Sequence, residues 1–209
     1  MKKLELPQRM ESHQQYEANK RVNKAVQDAF TASLETLQQY DFNIVEPNGN
    51  CLTVETPYSD VIGVSCCGDI KYGGTTTLKD SGCAVFCFYQ GLCLTRPKVY
   101  VSLSELAQEI AEKGYYEPGK GTYHCLYDHW GLRRASHFCE VIDTIKRGSI
   151  VTCLVQNSKY HQDENRTGKH FVNVVGLYND SVIVDDSHIG RRILKMESFM
   201  KSVLIAWTW

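Results

Sequence analysis

The sequence has no apolar run approaching the roughly 20 residues that a membrane-spanning helix needs. It has no excess of charge either: 23 Lys and Arg stand against 24 Asp and Glu, a net charge of −1. That balance gives no electrostatic footprint for a nucleic-acid or acidic-membrane partner. The opening Met1-Lys2-Lys3-Leu4-Glu5-Leu6-Pro7 is basic but has no apolar stretch behind it, so no secretory signal is expected. No internal repeat is evident. There are nine cysteines, yet no CxxC pair and no Cys/His spacing of the zinc-finger or ribbon type. His124-Cys125 and His137-x-Cys139 come nearest to metal-ligand pairs, and no four ligands converge on the spacing. No structural metal is therefore expected. An odd number of thiols without a signal peptide points to reduced cysteines in a cytoplasm, most of them buried as small hydrophobes.

What is present suits a globular domain. Hydrophobic residues make up 43% of the 209 and charged residues 22%, which excludes whole-chain disorder or a fibrous repeat. Apolar residues from Val22 to Leu37 recur at helical spacing, predicting a helix over 15–39. Asn48-Gly49 between two β-prone runs predicts a hairpin, and a third short strand is expected near Val61 to Ser65. Residues 1–70 read as an extension, a helix plus a small β unit, and residues 71–209 as the main domain.

In that main domain, 71–82 reads as a Gly- and Thr-rich loop. The dense apolar run from Cys83 to Leu94 predicts a buried helix. Ser102-Leu103-Ser104-Glu105 is a capping box opening a helix to about Lys113. A short helix is expected over Tyr123 to Trp130, and another from a Ser136 cap to Ile145. Strands follow at Ile150 to Val155, Phe171 to Leu177, Val182 to Asp185, Ile193 to Lys195 and Ile205 to Trp209, with a short helix at Met196 to Lys201. Residues 157–169 read as a mobile polar loop. Helices before an antiparallel sheet give an α+β fold.

Three residues draw attention as chemistry. Cys83 follows Gly82 and opens a helix, where unpaired N–H groups and the dipole favour thiolate. Gly82 leaves room for a substrate backbone. His170 ends a polar loop and begins an apolar strand, a position suited to a general base. Asp185-Asp186 closes the following strand, and the hairpin returns that end to the start of the first. A carboxylate there can fix the imidazole tautomer. Each residue alone has a plain structural reading; the order Cys, His, Asp on three fitting elements is the stronger signal.

These residues resemble a known family. Tyr72-Gly73, Thr77, Ser81-Gly82-Cys83, Gly121-Thr122, Gly168-Lys169-His170-Phe171-Val172-x-Val174-x-Gly176 and Val182-Ile183-Val184-Asp185-Asp186 look like the papain-like cysteine peptidases related to bacterial double-glycine leader peptidases of bacteriocin exporters. The resemblance covers residues 71–209. It implies a papain-like fold with Cys83 on a central helix and His170 and Asp186 on the sheet. Asp186 takes the place of the orienting Asp, and Asp185 replaces an Asn. It implies a thiol protease acting on a peptide or protein, with no cofactor. Thr77 stands where the family carries a Gln oxyanion donor, so Thr77 or Thr76 with the Cys83 N–H is expected to substitute. Ala84-Val85 replaces the small pair that usually follows the Cys. Two other readings remain open: a papain-like binding protein without turnover, and an acyltransferase or transpeptidase using the same site. The sequence leaves the oligomeric state open.

Overall fold

A computed structural model of the chain describes residues 2–9, 24–25, 69–96 and 99–209. Of the expected 15–39 helix, only Lys24 and Ala25 are described, and both are helical. The expected Asn48-Gly49 hairpin and the strand near Val61 to Ser65 lie outside the described residues, as do Cys51, Cys66 and Cys67.

The architecture is α+β. The longer helices are α1 (Cys83–Thr95), α2 (Leu103–Glu112) and α3 (Phe138–Lys146). Six strands, β1 (Arg133–Arg134), β2 (Val151–Gln156), β3 (Lys169–Tyr178), β4 (Ser181–Asp186), β5 (Gly190–Lys195) and β6 (Val203–Thr208), form one sheet in the order β5-β4-β3-β2-β6-β1. Every neighbouring pair in it is antiparallel.

The sheet is covered on both faces, and alternation along the strands sorts its residues. Leu154 and Phe171 join the cluster built on α1, with Phe86, Phe88 and Trp207. Cys153, Val155, Val172 and Val174 join the opposite cluster with Phe138, Val141 and Ile145 of α3. Burial on both faces explains why β2 and β3 read as nearly continuous apolar runs. Helix α1 is apolar all round because the sheet and the other helices enclose it; Ala84 to Phe88 and Gln90 to Leu92 are all buried. Each large side chain so enclosed contributes about 1.5–3 kcal/mol.

Helix α2 begins as its sequence signals, with Ser102 Oγ accepting from Glu105 N–H at 3.2 Å and the Glu105 carboxylate accepting from Ser102 N–H at 2.8 Å. The start of α3 differs from expectation. His137, not Ser136, is the cap residue, because Ser136 N–H and Oγ both turn to the Glu140 carboxylate. Residues 71–82, expected as a loop, contain a two-residue hairpin (Lys71–Tyr72 with Thr76–Thr77) and a one-turn helix, Leu78–Ser81. Gly73 and Gly74, at φ +62° and +99°, make its tight turn. Elements this short carry no periodicity to read.

The chain's first residues pack onto this body. Leu4 and Leu6 are buried in the α1 cluster, and Lys2–Lys3 pairs in parallel with Val99–Tyr100.

Candidate active site

Cys83 lies at the first turn of α1, half-buried, in a cleft of about 630 Å³ that it shares with His170, Ser81, Thr122, Asn157 and His188. Its thiol hydrogen-bonds His170 and accepts from the backbone N–H groups of Phe171 and Ala84. Burial pushes the thiol up. The hydrogen bond and charge of His170, with the two amides, more than offset this and hold it below the ordinary thiol range. The Ala84 amide is available because the first N–H groups of a helix have no partner within it.

His170 is the second residue of β3, opposite Val155, and is nearly fully enclosed. Its Nε2 lies 2.9 Å from Asp186 Oδ1, so Nδ1 is the nitrogen left for the thiol. Burial alone would lower the imidazole pKa. The hydrogen bonds and charges of Asp186 and Cys83 raise it instead, to about 10. Asp186 is fully buried, and burial opposes its ionisation. His170, the His188 N–H at 2.7 Å and the Tyr160 hydroxyl at 3.0 Å overcome this and hold the carboxyl down at about 2. The predicted trio is thus brought together, with shifts that run toward thiolate, imidazolium and carboxylate.

The hairpin explains why Asp186 rather than Asp185 meets the imidazole. Val184 pairs with Val174 and Asp185 with Asn173. Successive residues face opposite ways, so Asp186 shares the face of Val172 and lies diagonal to His170. Asp185 faces α1, where Gln90 Nε2 donates to it at 2.6 Å and Arg191 grips it at 2.7 and 2.9 Å. Asn173 extends that buried chain: it donates to Gln90 Oε1 at 2.7 Å and Cys87 O at 3.0 Å, and accepts from Thr152 at 2.7 Å. Asn173 and Gln90 therefore tie the nucleophile's helix to β3 and β4. Sequence reading missed both, since a polar residue inside an apolar run shows its purpose only when its partners are known.

Tyr160 was missed as well. Residues 157–169, expected as a mobile loop, open with a helical turn, Asn157–His161, that buries Tyr160 against His170 and Phe199. Asn157 closes the base of the remaining excursion, its N–H donating to Gly168 O at 3.1 Å and its Nδ2 to Thr167 O at 3.0 Å. A single buried aromatic among polar residues gives no pattern, and this one is fixed by Asp186.

Two expected contributors have other work. Thr77 N–H and Oγ1 both donate to the Asp80 carboxylate, at 2.9 and 2.8 Å, in a capping box, and Thr77 is not among the residues lining the cleft. Thr76 Oγ1 is bonded to Tyr72 O and Tyr116 Oη. Gly82 does not open space for a ligand: a Cβ there would stand 2.4 Å from Leu78 O and 2.7 Å from Leu78 Cα. The glycine lets two helices abut head to tail.

His161 and His188 flank His170, with ring centroids at 6.5 and 5.0 Å. Partial burial and neighbouring positive charge hold both below the ordinary histidine range, which keeps the positive charge on His170. Among the described residues, no group of three or more His, Cys, Asp or Glu is placed to hold a metal ion. Six cysteines are described, at 83, 87, 93, 125, 139 and 153, and all six are free thiols. No described helix is long and apolar enough to cross a membrane.

Comparison with protein-family models, with curated proteins and with solved structures returned no match.

Proposed function

We propose that this chain is a cysteine peptidase of papain-like architecture, cleaving a peptide or isopeptide bond through Cys83, His170 and Asp186. The observation that carries the reading is the continuous hydrogen-bonded line from the Cys83 thiol through the imidazole to Asp186. Buried residues are rarely arranged to stabilise a thiolate beside an imidazolium unless the thiolate has chemistry to do.

In this mechanism the Cys83 thiolate adds to the carbonyl carbon. The S–C bond forms and the π pair moves onto oxygen. Collapse breaks the C–N bond, and the leaving amine takes its proton from His170 Nδ1. Neutral His170 then takes a proton from water as that water attacks the thioester. The acid departs and the sulfur leaves as thiolate. Asp186 holds the ring orientation throughout and stays ionised. Transfer to an amine or thiol acceptor uses the same first half, giving a transpeptidase or acyltransferase. The six described cysteines are free thiols, which fits work in a cytoplasm.

Site-resolved alkylation by iodoacetamide at neutral pH tests the reading. Cys83 is expected to react at least about tenfold faster than the other eight thiols, because His170 and two backbone amides lower its pKa. His170→Ala should abolish the difference. Equal rates at all nine thiols would overturn the proposal.

A binding protein on the same scaffold is the rival reading. One observation favours it: Thr77, where the resembled family has its Gln, is committed to Asp80. Reactivity at Cys83 without hydrolysis of any member of a random peptide library would select that reading.

A further inference from the structure

The proposed trio leaves one requirement of acyl transfer without a residue. As sulfur adds to the carbonyl, negative charge grows on oxygen and needs a preorganised donor. Thr77 is spent on Asp80 and Thr76 on Tyr72 and Tyr116. Thr122 is differently placed. It lines the cleft with Cys83, and its backbone is held in a short hairpin opposite Tyr116. Its Oγ1 lies 2.7 Å from the Tyr72 hydroxyl.

The direction of that bond follows from burial. Tyr72 is fully enclosed, and its ring packs on Tyr116 at 4.0 Å between centroids. Burial pushes its phenol far above the ordinary range, so it remains protonated. A buried O–H must have an acceptor, and Thr122 Oγ1 is in place. Tyr72 therefore donates, which leaves the proton of half-buried Thr122 free to point into the cleft.

We propose that Thr122 is the side-chain oxyanion donor of this site, with Tyr72 behind it as the positioning residue. This rests on the reading of the chain as a thiol acyl-transfer enzyme. The step moves no proton: the S–C bond forms, the carbonyl pair goes to oxygen, and Thr122 O–H stabilises it by hydrogen bonding until collapse.

Reversible capture of an aldehyde separates this role from the rest of the site. N-acetylglycinal forms a hemithioacetal whose oxygen occupies the oxyanion position, whereas alkylation by iodoacetamide needs no oxyanion donor. Protection of Cys83 from iodoacetamide by the aldehyde then reports the donor. Thr122→Val is expected to weaken protection by about 10- to 100-fold, with the unprotected alkylation rate unchanged. Thr122→Ser should restore protection, and Tyr72→Phe should weaken it by a smaller factor. Wild-type protection in Thr122→Val would overturn the inference. So would an equal loss in Ser81→Ala, a parallel fall in the unprotected rate, or no protection of a reactive wild-type Cys83. A wild-type Cys83 no more reactive than the other thiols fails the parent reading as well, and is seen before any aldehyde is added.

Discussion

Tyr160 donates its hydroxyl to the Asp186 oxygen that His170 leaves free, at 3.0 Å on Oδ2 against 2.9 Å on Oδ1. The two bonds fix the carboxylate plane and keep a fully buried charge satisfied. Tyr160→Phe removes one of them and leaves part of that charge unpaired. A lost hydrogen bond to a buried charged group costs about 1–3 kcal/mol. Urea unfolding should show a loss of that size with an unchanged m value. A variant as stable as wild type would mean that the Tyr160 bond adds nothing to the fold.

The pH dependence of Cys83 alkylation should depart from that of an ordinary thiol. Cys83 is held below the usual range and His170 is raised to about 10. Thiolate and imidazolium therefore coexist from the lowered thiol pKa up to about 10. Alkylation should reach its plateau below 9.0, the ordinary thiol value, rather than above it. Hydrolysis should fall again near pH 10, as His170 loses the proton it must give the leaving amine. Measured rates that still climb tenfold per pH unit up to 9.0 would contradict the ion pair.

The same pair makes a signed contribution to stability. His170 has its pKa raised from 6.5, so its contribution is full below 6.5 and is lost as pH rises through about 10. Cys83 runs the other way: its contribution is full above 9.0 and is lost as pH falls through its lowered value. Above 6.5 and above the lowered thiol pKa, up to 9.0, the unfolded chain keeps one proton on the thiol and the folded chain keeps one on the imidazole. The pair's contribution is then flat in that window and declines as pH rises from 9.0 toward about 10. Unfolding free energies of wild type and Cys83→Ala across this range, compared as a difference, check the shape.

Gly82→Ala should be strongly destabilising although the site is a helix boundary. The new methyl meets Leu78 backbone atoms at 2.4 and 2.7 Å, and backbone cannot rotate away as a side chain would. Forcing the two helices apart should cost more than about 2 kcal/mol and move Cys83. Thermal unfolding reads the first effect and iodoacetamide the second. An unchanged melting temperature would show that the junction yields easily.

Limited proteolysis should cut the 157–169 segment selectively. Glu164 to Arg166 is exposed, while Tyr160 is buried and Asn157 closes the base. Cleavage is expected within 164–166 and not within 157–161. Early cutting at Lys159 would contradict the anchored turn.

Much of this was legible without coordinates. The apolar run after Cys83 is long enough to demand a buried helix, the Ser102-Glu105 box marks a helix start, and Asn179-Asp180 between two apolar runs demands a hairpin. Period and punctuation are local properties, and they determined α1, α2, β3 and β4. They also placed Cys83 at a helix start, His170 at a strand start and Asp186 at the end of the returning strand.

The tertiary structure decided what depends on partners distant in sequence. Tyr160, Asn173 and Gln90 carry no signal of their own, because a buried polar group is explained only by the group that satisfies it. Asp186 lies 26 residues from Tyr160, and Asn173 lies 83 from Gln90. Thr77 and Gly82 sat in the right stretch of sequence for substrate work, but a cap and a backbone clash, both invisible to spacing, gave them other roles. The electrostatics of Cys83 and His170 were likewise set by the partners that the fold brings to them, Asp186 and the Phe171 and Ala84 amides, which outweigh the opposing effect of burial.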